Sequence, residues 1–429
     1  MRAQLSSLGV VGTAALLLPL LPTTPLTAHA AHADPAPGWE RQSAGSTRSL
    51  PLEALDERRG RGARGLPARS VAPFSLVGVV WDDADAELNG RVQVRTRARN
   101  QSEWSGWRTL HAHHGVSSAE RAAEAGGRQT PGATAPLWTG PADGVQVRVQ
   151  PRAATPRTGG ETAALRSAHL PEGLRVQLVD PGHEPAKSRP GGNDAAGERG
   201  TAARAGAGEV LPTLNRSRTN AAYPRSHGRI GPRPKIVTRQ GWGADEQIRE
   251  SGHAYTGTVK AAFVHHTVTG NDYSCGQVPS ILRGIYRYHV ESLKWRDIGY
   301  NFFVDKCGTL YEGRAGGVAK NVQGAHTYGF NENSTGIAVL GTFTDTEPAA
   351  EAVRALGALT AWRLGVDAVD AGGTSTLVSG GGNRFPKGEK VALRAISGHR
   401  DGYNTECPGE KLYAKLGGVR AASSKLQGR

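Results

Sequence analysis

Four short stretches concentrate the side chains able to do chemistry: Phe263-Val-His265-His266-Thr267, Asp297-Ile-Gly-Tyr300-Asn301-Phe302, Gly324-Ala-His326, and His399 followed eight positions later by Cys407. Two imidazoles and one thiolate suit Zn2+, which takes nitrogen and sulfur ligands tetrahedrally; a catalytic site leaves the fourth position to water. Such an ion lowers the pKa of water toward 7 and polarises a carbonyl beside it. The ligands are scattered in sequence, with no H-E-x-x-H run, so residue types alone leave either member of the His265-His266 pair eligible. Cysteine parity narrows the sulfur. Of the three cysteines, Cys275 and Cys307 lie within one dense segment and are expected to pair as a disulfide, leaving Cys407 for the metal.

That disulfide requires an oxidising compartment, and the N-terminus points to export. Arg2 precedes an apolar run, Leu8 to Leu21, which is followed by the small-residue sites Ala28-His29-Ala30 and Ala31-His32-Ala33. This order predicts a secretory signal over residues 1–30, and the run falls short of the roughly 20 residues that span a bilayer. A secreted, wall-associated protein without a membrane span is the expectation. The net charge of +14 is concentrated: residues 182–240 hold 11 Lys or Arg against four acids, which is half of it. Such a Gly/Ala/Pro-rich stretch reads as a solvated linker able to attract anionic wall polymers. Nucleic acid is excluded, because Tyr223 is the main aromatic there for base stacking.

The elements that must position the reactive groups divide the chain. Residues 31–73 read as disordered. From 74 to 181 the pattern alternates, with Val92 and Val94, then Val145, Val147 and Val149, then Leu174, Val176 and Leu178 set between polar neighbours. Period-2 runs predict a small all-β domain, a sandwich with polar loops near 115–135 and 151–168. Trp81, Trp104, Trp107 and Trp138 are expected to fill its Phe-poor core, with one of Trp104 and Trp107 exposed at a turn. A linker over 182–235 leads to an α/β domain over 236–418, a central mixed sheet flanked by helices. Its expected strands are 260–264, 301–305, 309–312, 335–343 and 393–397. One helix opens near Pro279, burying Ile281, Ile285 and Tyr288; a second opens near Pro348, burying Val353, Leu356 and Leu359. Residues 370–390 read as an inserted loop and 419–429 as a basic tail.

Residues 236–418 resemble the type-2 N-acetylmuramoyl-L-alanine amidases and the peptidoglycan recognition proteins that share their fold. The resemblance rests on the four stretches above together with Arg239-Gln-Gly-Trp242-Gly-Ala, Tyr311-Glu-Gly-Arg314, Asn331-x-x-Ser334-x-Gly336 and Cys407-Pro-Gly409. It implies a zinc amidase that cuts the lactyl–L-alanine amide of peptidoglycan, with His265, His399 and Cys407 as ligands. His266, the next residue on a strand, faces the opposite way. The resemblance further implies Tyr300 as the catalytic phenol, with Thr405, where some relatives carry lysine, as a neutral assistant. His326, Asn331 and Arg314 are expected along the substrate groove. Some recognition proteins of this fold bind peptidoglycan without cutting it; retention of Cys407, both histidines and Tyr300 implies the enzyme.

Overall fold

The computed structural model describes residues 45–55, 62–113, 130–152, 169–182 and 209–429. The expected signal segment, residues 153–168 and residues 183–208 of the linker lie outside the described residues. Among the described residues no helix is long and apolar enough to cross a membrane.

Among the described residues the first body has nine strands: β1 (Ser46–Pro51), β2 (Glu53–Ala54), β3 (Arg64–Trp81), β4 (Gly90–Ala98), β5 (Arg108–Leu110), β6 (Ala112–His113), β7 (Gly132–Thr134), β8 (Leu137–Pro151) and β9 (Arg175–Asp180). All pair antiparallel in one hydrogen-bonded network with central order β1-β9-β3-β8-β4-β5. The expected pair of sheets is thus a single network, in which β3 shifts register against β8 at three points, irregularities that bend a strand. The alternating valines of β4 and β8 point inward with Leu66, Phe74 and Trp81.

Within the stretch expected to be disordered, 31–73, the described residues include β1, β2 and the first part of β3. Strand β1 has few apolar residues to signal it; backbone pairing with β9, from Ser46 opposite Asp180 to Pro51 opposite Arg175, holds it in place. Trp81 and Trp138 are buried as expected, whereas Trp104 and Trp107 are both half-exposed. They stack instead on arginines: Arg95 lies 5.4 Å from Trp104 and 5.2 Å from Trp107, and Arg148 lies 4.1 Å from Trp107.

The second body has a seven-stranded mixed sheet, comprising β10 (Val210–Leu211), β11 (Ile236–Val237), β12 (Ala261–His266), β13 (Phe302–Val304), β14 (Leu310–Glu312), β15 (Ser334–Val339) and β18 (Ile396–Gly398). Its order is β10-β11-β14-β13-β15-β12-β18. Four of the expected strands, β12 to β15, lie inside it and two short ones extend one edge; of the fifth, expected over 393–397, only the last residues join the sheet, as the opposite edge strand β18. Residues 370–390 contribute to a hairpin of β16 (Thr374–Val378) and β17 (Lys390–Arg394).

Helix α1 (Arg216–Ala222) lies inside the expected linker, capped by Asn215, with Tyr223 edge-on to Trp362 at 6.0 Å. The flanking helices are α2 (Val278–Arg287), α3 (Ala350–Val366), the short α4 (His399–Gly402) and α5 (Glu410–Leu426). Ile281, Ile285 and Tyr288 are buried, as are Leu356 and Leu359, while Val353 is half-buried. The expected basic tail is largely the end of α5, fixed by buried Val419 and Ser423 and by Gln427, whose amide donates to Ala361 O and Val369 O, each at 3.0 Å.

Cys275 and Cys307 form a disulfide that ties the entry of α2 to the β13–β14 turn. Closing a loop with a sequence separation of 32 restricts the unfolded chain by roughly 3–4 kcal/mol on the chain-entropy estimate. The double substitution Cys275→Ser/Cys307→Ser is therefore expected to lower unfolding free energy by that order in a denaturant titration. An unchanged midpoint would show that the bridge contributes nothing in solution.

Candidate metal centre and its groove

Strand β12 is flanked by parallel neighbours β15 and β18, and all six of its residues are buried. Alternation sends its last two side chains to opposite sides. The His265 ring meets His399 at a centroid distance of 4.6 Å, Tyr300 at 5.2 Å and His326 at 5.3 Å. His266 instead accepts from the Phe343 amide through Nδ1 at 3.3 Å, and burial first, then His111 and Arg400, push its pKa down to about 3.

His399 opens α4 directly after β18, where Asp401 accepts from Gly398 N at 2.8 Å. The chain then returns through a loop closed by Arg400 N donating to Cys407 O at 3.0 Å. This brings Cys407 Sγ to 3.7 Å from His265 Nδ1. One nitrogen from each of His265 and His399 and the Cys407 sulfur lie within 4.8 Å of one another. Burial pushes the Cys407 thiol up to about 12, so a thiolate there calls for a cation beside it. The other thiol cluster, Cys275, Asp305 and Cys307, has its sulfurs committed to the disulfide.

Tyr300 reaches the centre from a loop that is anchored on every side. Asp297 accepts from Ile298 N at 2.7 Å and Ala315 N at 2.8 Å, and pairs with Arg239 at 3.1 Å with both side chains buried. Gly299 N donates to His289 Nδ1 at 3.1 Å, and Arg314 N donates to Tyr300 O at 2.9 Å. Burial, then the nearby Cys407, raise the Tyr300 phenol above its ordinary range. It stays neutral and able to donate.

None of the three residues expected along the substrate groove lines the cavity above the centre, and Arg314 lines a separate cavity with Arg249, His253 and Asp297. His326 is 1% exposed behind His265, its Nδ1 2.9 Å from Thr327 Oγ1, which in turn is 3.3 Å from His265 Nε2. A Cβ on Gly336 would come within 2.3 Å of that imidazole, so only glycine leaves room for it. Asn331 is buried and accepts from His326 N at 2.8 Å and Thr327 N at 2.9 Å. Arg314 is buried and donates to Ile298 O and Gln323 O, each at 3.0 Å, bracing the Tyr300 loop. Thr327, the bridge between the two histidines, has no spacing in the sequence that marks it.

An open cavity of about 250 Å3 lies over the centre. Its lining includes Tyr300, His399 and Cys407, His266 and Thr267 at the end of β12, and Thr342 and Thr405, while His265 is 1% exposed. Thr405 Oγ1 accepts from Cys407 N at 3.3 Å, leaving its hydroxyl hydrogen to donate. His111, Ala112 and Ala135, from the nine-stranded body, complete the lining on one side.

Residues 255–410 match a family model described as N-acetylmuramoyl-L-alanine amidase, and residues 31–168 match one described as Rv3811 N-terminal galactose-binding domain-like. Peptidoglycan-recognition protein SC2 of Drosophila simulans is 32% identical over 182 residues, 42% of this chain and 84% of that protein. A peptidoglycan recognition protein of Trichoplusia ni is 35% identical over 184 residues, 42% of this chain and 85% of that protein. The solved structure of Drosophila PGRP-LB, at 25% identity, covers 42% of this chain and 91% of that chain with a TM-score of 0.34. The chain belongs to the family of type-2 N-acetylmuramoyl-L-alanine amidases and peptidoglycan recognition proteins.

Proposed function

We propose that this chain is a secreted, zinc-dependent N-acetylmuramoyl-L-alanine amidase that hydrolyses the lactyl–L-alanine amide of peptidoglycan. The convergence of His265, His399 and Cys407 within 4.8 Å, beside a cavity that His399, Cys407 and Tyr300 line, carries the reading. Two nitrogens and one sulfur suit zinc and leave a fourth position open. When bound there, zinc supplies the Lewis acidity that activates water and polarises the amide carbonyl.

The chain's own residues do the rest. In the tautomer that leaves His265 Nδ1 free for a metal, Nε2 carries the proton and donates to Thr327 Oγ1, whose hydroxyl can then donate to His326 Nδ1. This relay fixes tautomer and ring orientation. Tyr300 donates its phenol hydrogen to the amide oxygen as negative charge develops, a contact strongest in the transition state. Thr405 offers a second neutral donor from the groove wall. Export is supported by the leader-like N-terminus and by the disulfide, which persists in oxidising compartments. The basic stretch 182–235 would hold the enzyme near anionic wall polymers.

The test is digestion of purified peptidoglycan by the mature protein with and without a chelator. The expected result is metal-dependent appearance of L-alanine amino termini and release of intact stem peptides. Wall binding without release would instead make this a non-catalytic recognition protein, and cleavage within the stem would make it a peptidase.

A further inference from the structure

Strand β3 is buried continuously from Ser75 to Trp81, the mark of a strand covered on both faces. Val77, Val79 and Trp81 face the body's own core, while Leu76 and Val80 join Ala133, Trp138 and Val179 in a shared core with Ile281, Leu282, Ile285 and Tyr288 of the α/β body. The fit is close. Tyr288 packs on Gly78, where a Cβ would lie 2.4 Å from its hydroxyl, and donates to Thr134 O at 2.9 Å. Trp138 N donates to Thr269 O at 3.1 Å, so the loop that leaves β12 after the histidines is itself pinned by the β domain. Ser292 and Gln177 add a contact at 3.4 Å, and Arg283 donates to Pro181 O at 3.3 Å.

This docking puts the β5–β6 edge over the groove. His111 O accepts from Ala135 N at 2.7 Å, which fixes the backbone there, and the exposed His111 side chain lines the cavity together with Tyr300, His399 and Cys407. We propose that the β domain is one wall of the substrate groove, and that His111 is a specificity-determining residue that hydrogen-bonds a carbonyl or hydroxyl oxygen of the bound muramyl peptide. The inference rests on the amidase reading for its choice of ligand. A sheet docked through a shared apolar core and several hydrogen bonds is a fixed wall, in contrast to a tethered module that anchors the enzyme at a distance. Imidazole nitrogens can donate and accept hydrogen bonds, which suits a glycopeptide rich in amides and hydroxyls.

The test uses full-length zinc-loaded protein and a soluble muramyl pentapeptide, with Kd measured calorimetrically in a Tyr300→Phe background and KM and kcat measured in the otherwise native chain. His111→Ala should raise Kd and KM by about fivefold, the worth of one neutral hydrogen bond, while kcat stays within about twofold. His111→Asn, which retains a donor, should recover part of the loss. Ala112→Trp, placing an indole at the exposed neighbouring position, should weaken binding at least about tenfold by filling space the ligand needs. Unchanged Kd in both His111→Ala and Ala112→Trp, with unaltered melting temperatures, overturns the wall. Binding without cleavage by the native chain defeats the amidase reading alone, and the Kd arm still decides the wall; a native chain that does not bind the muramyl peptide defeats both.

Discussion

Replacing Cys407 by serine is expected to strip the protein of stoichiometric zinc and to reduce amide cleavage by a factor on the order of 1000 or more, the equivalent of losing several kcal/mol of Lewis-acid stabilisation. The side chains differ little in size, so the loop closed by Arg400 N and Cys407 O should persist. What changes is the donor. A thiol gives up its proton to a cation beside it, whereas a serine hydroxyl does not do so near neutral pH, and two imidazoles alone make a weak site. Because burial holds the Cys407 thiol at about 12, zinc uptake must release its proton, and affinity should fall as the medium is acidified. Zinc content measured after gel filtration, together with the melting temperatures of both metal-free proteins, checks this. A serine variant that keeps one zinc per chain would show the ligand set to be wrong; one that melts far lower without metal would show a structural role for the sulfur.

Much of this centre was legible in the sequence, for identifiable reasons. Cysteine parity set Cys407 apart from the Cys275–Cys307 pair, and strand alternation put His265 and His266 on opposite faces, but the choice of His265 came from the family resemblance. The buried face of α2 was legible by a local rule too, since Ile281, Ile285 and Tyr288 follow the helical period. His326, Asn331 and Arg314 fared differently. They sit in loops, where no period dictates which way a side chain points; His326 and Asn331 pack behind His265, and Arg314 braces the Tyr300 loop beside a second cavity.

The nine-stranded body shows where pattern reading loses its grip. Strand β1 and the first half of β3 are rich in Arg, Ser and Pro and take their order from pairing with distant strands. The strongest overlooked signal was Ser75 to Trp81. It carries no polar alternation although it lies in an antiparallel sheet, and such a run implies a second covering layer. That layer proves to be α2 and its continuation at Tyr288, which sets the β domain against the groove. Helix α1 was hidden in an Arg-rich stretch for a related reason: Asn215 caps it and Tyr223 packs against Trp362, but neither fact is visible in composition.

Tyr300→Phe is expected to lower kcat by about 100- to 1000-fold, the usual consequence of deleting one donor to a developing oxyanion, roughly 3–4 kcal/mol. The ring should stay where it is. Phe303 meets it edge-on at 5.5 Å, His289 lies at 6.0 Å, and the loop beneath is held by Asp297 and Arg314 rather than by the phenol. Zinc content and melting temperature should therefore match the native protein, which separates this variant from Cys407→Ser. KM should change little, because the hydrogen bond strengthens only as charge develops on the amide oxygen. The same burial that lifts the phenol above its ordinary range keeps it protonated in neutral and mildly alkaline solution, so its donor role should not fade there. Steady-state kinetics on a soluble muramyl peptide decides the matter. A variant with native kcat would remove Tyr300 from the chemistry and leave the metal and Thr405 to stabilise the oxyanion; one with raised KM and native kcat would make it a binding residue.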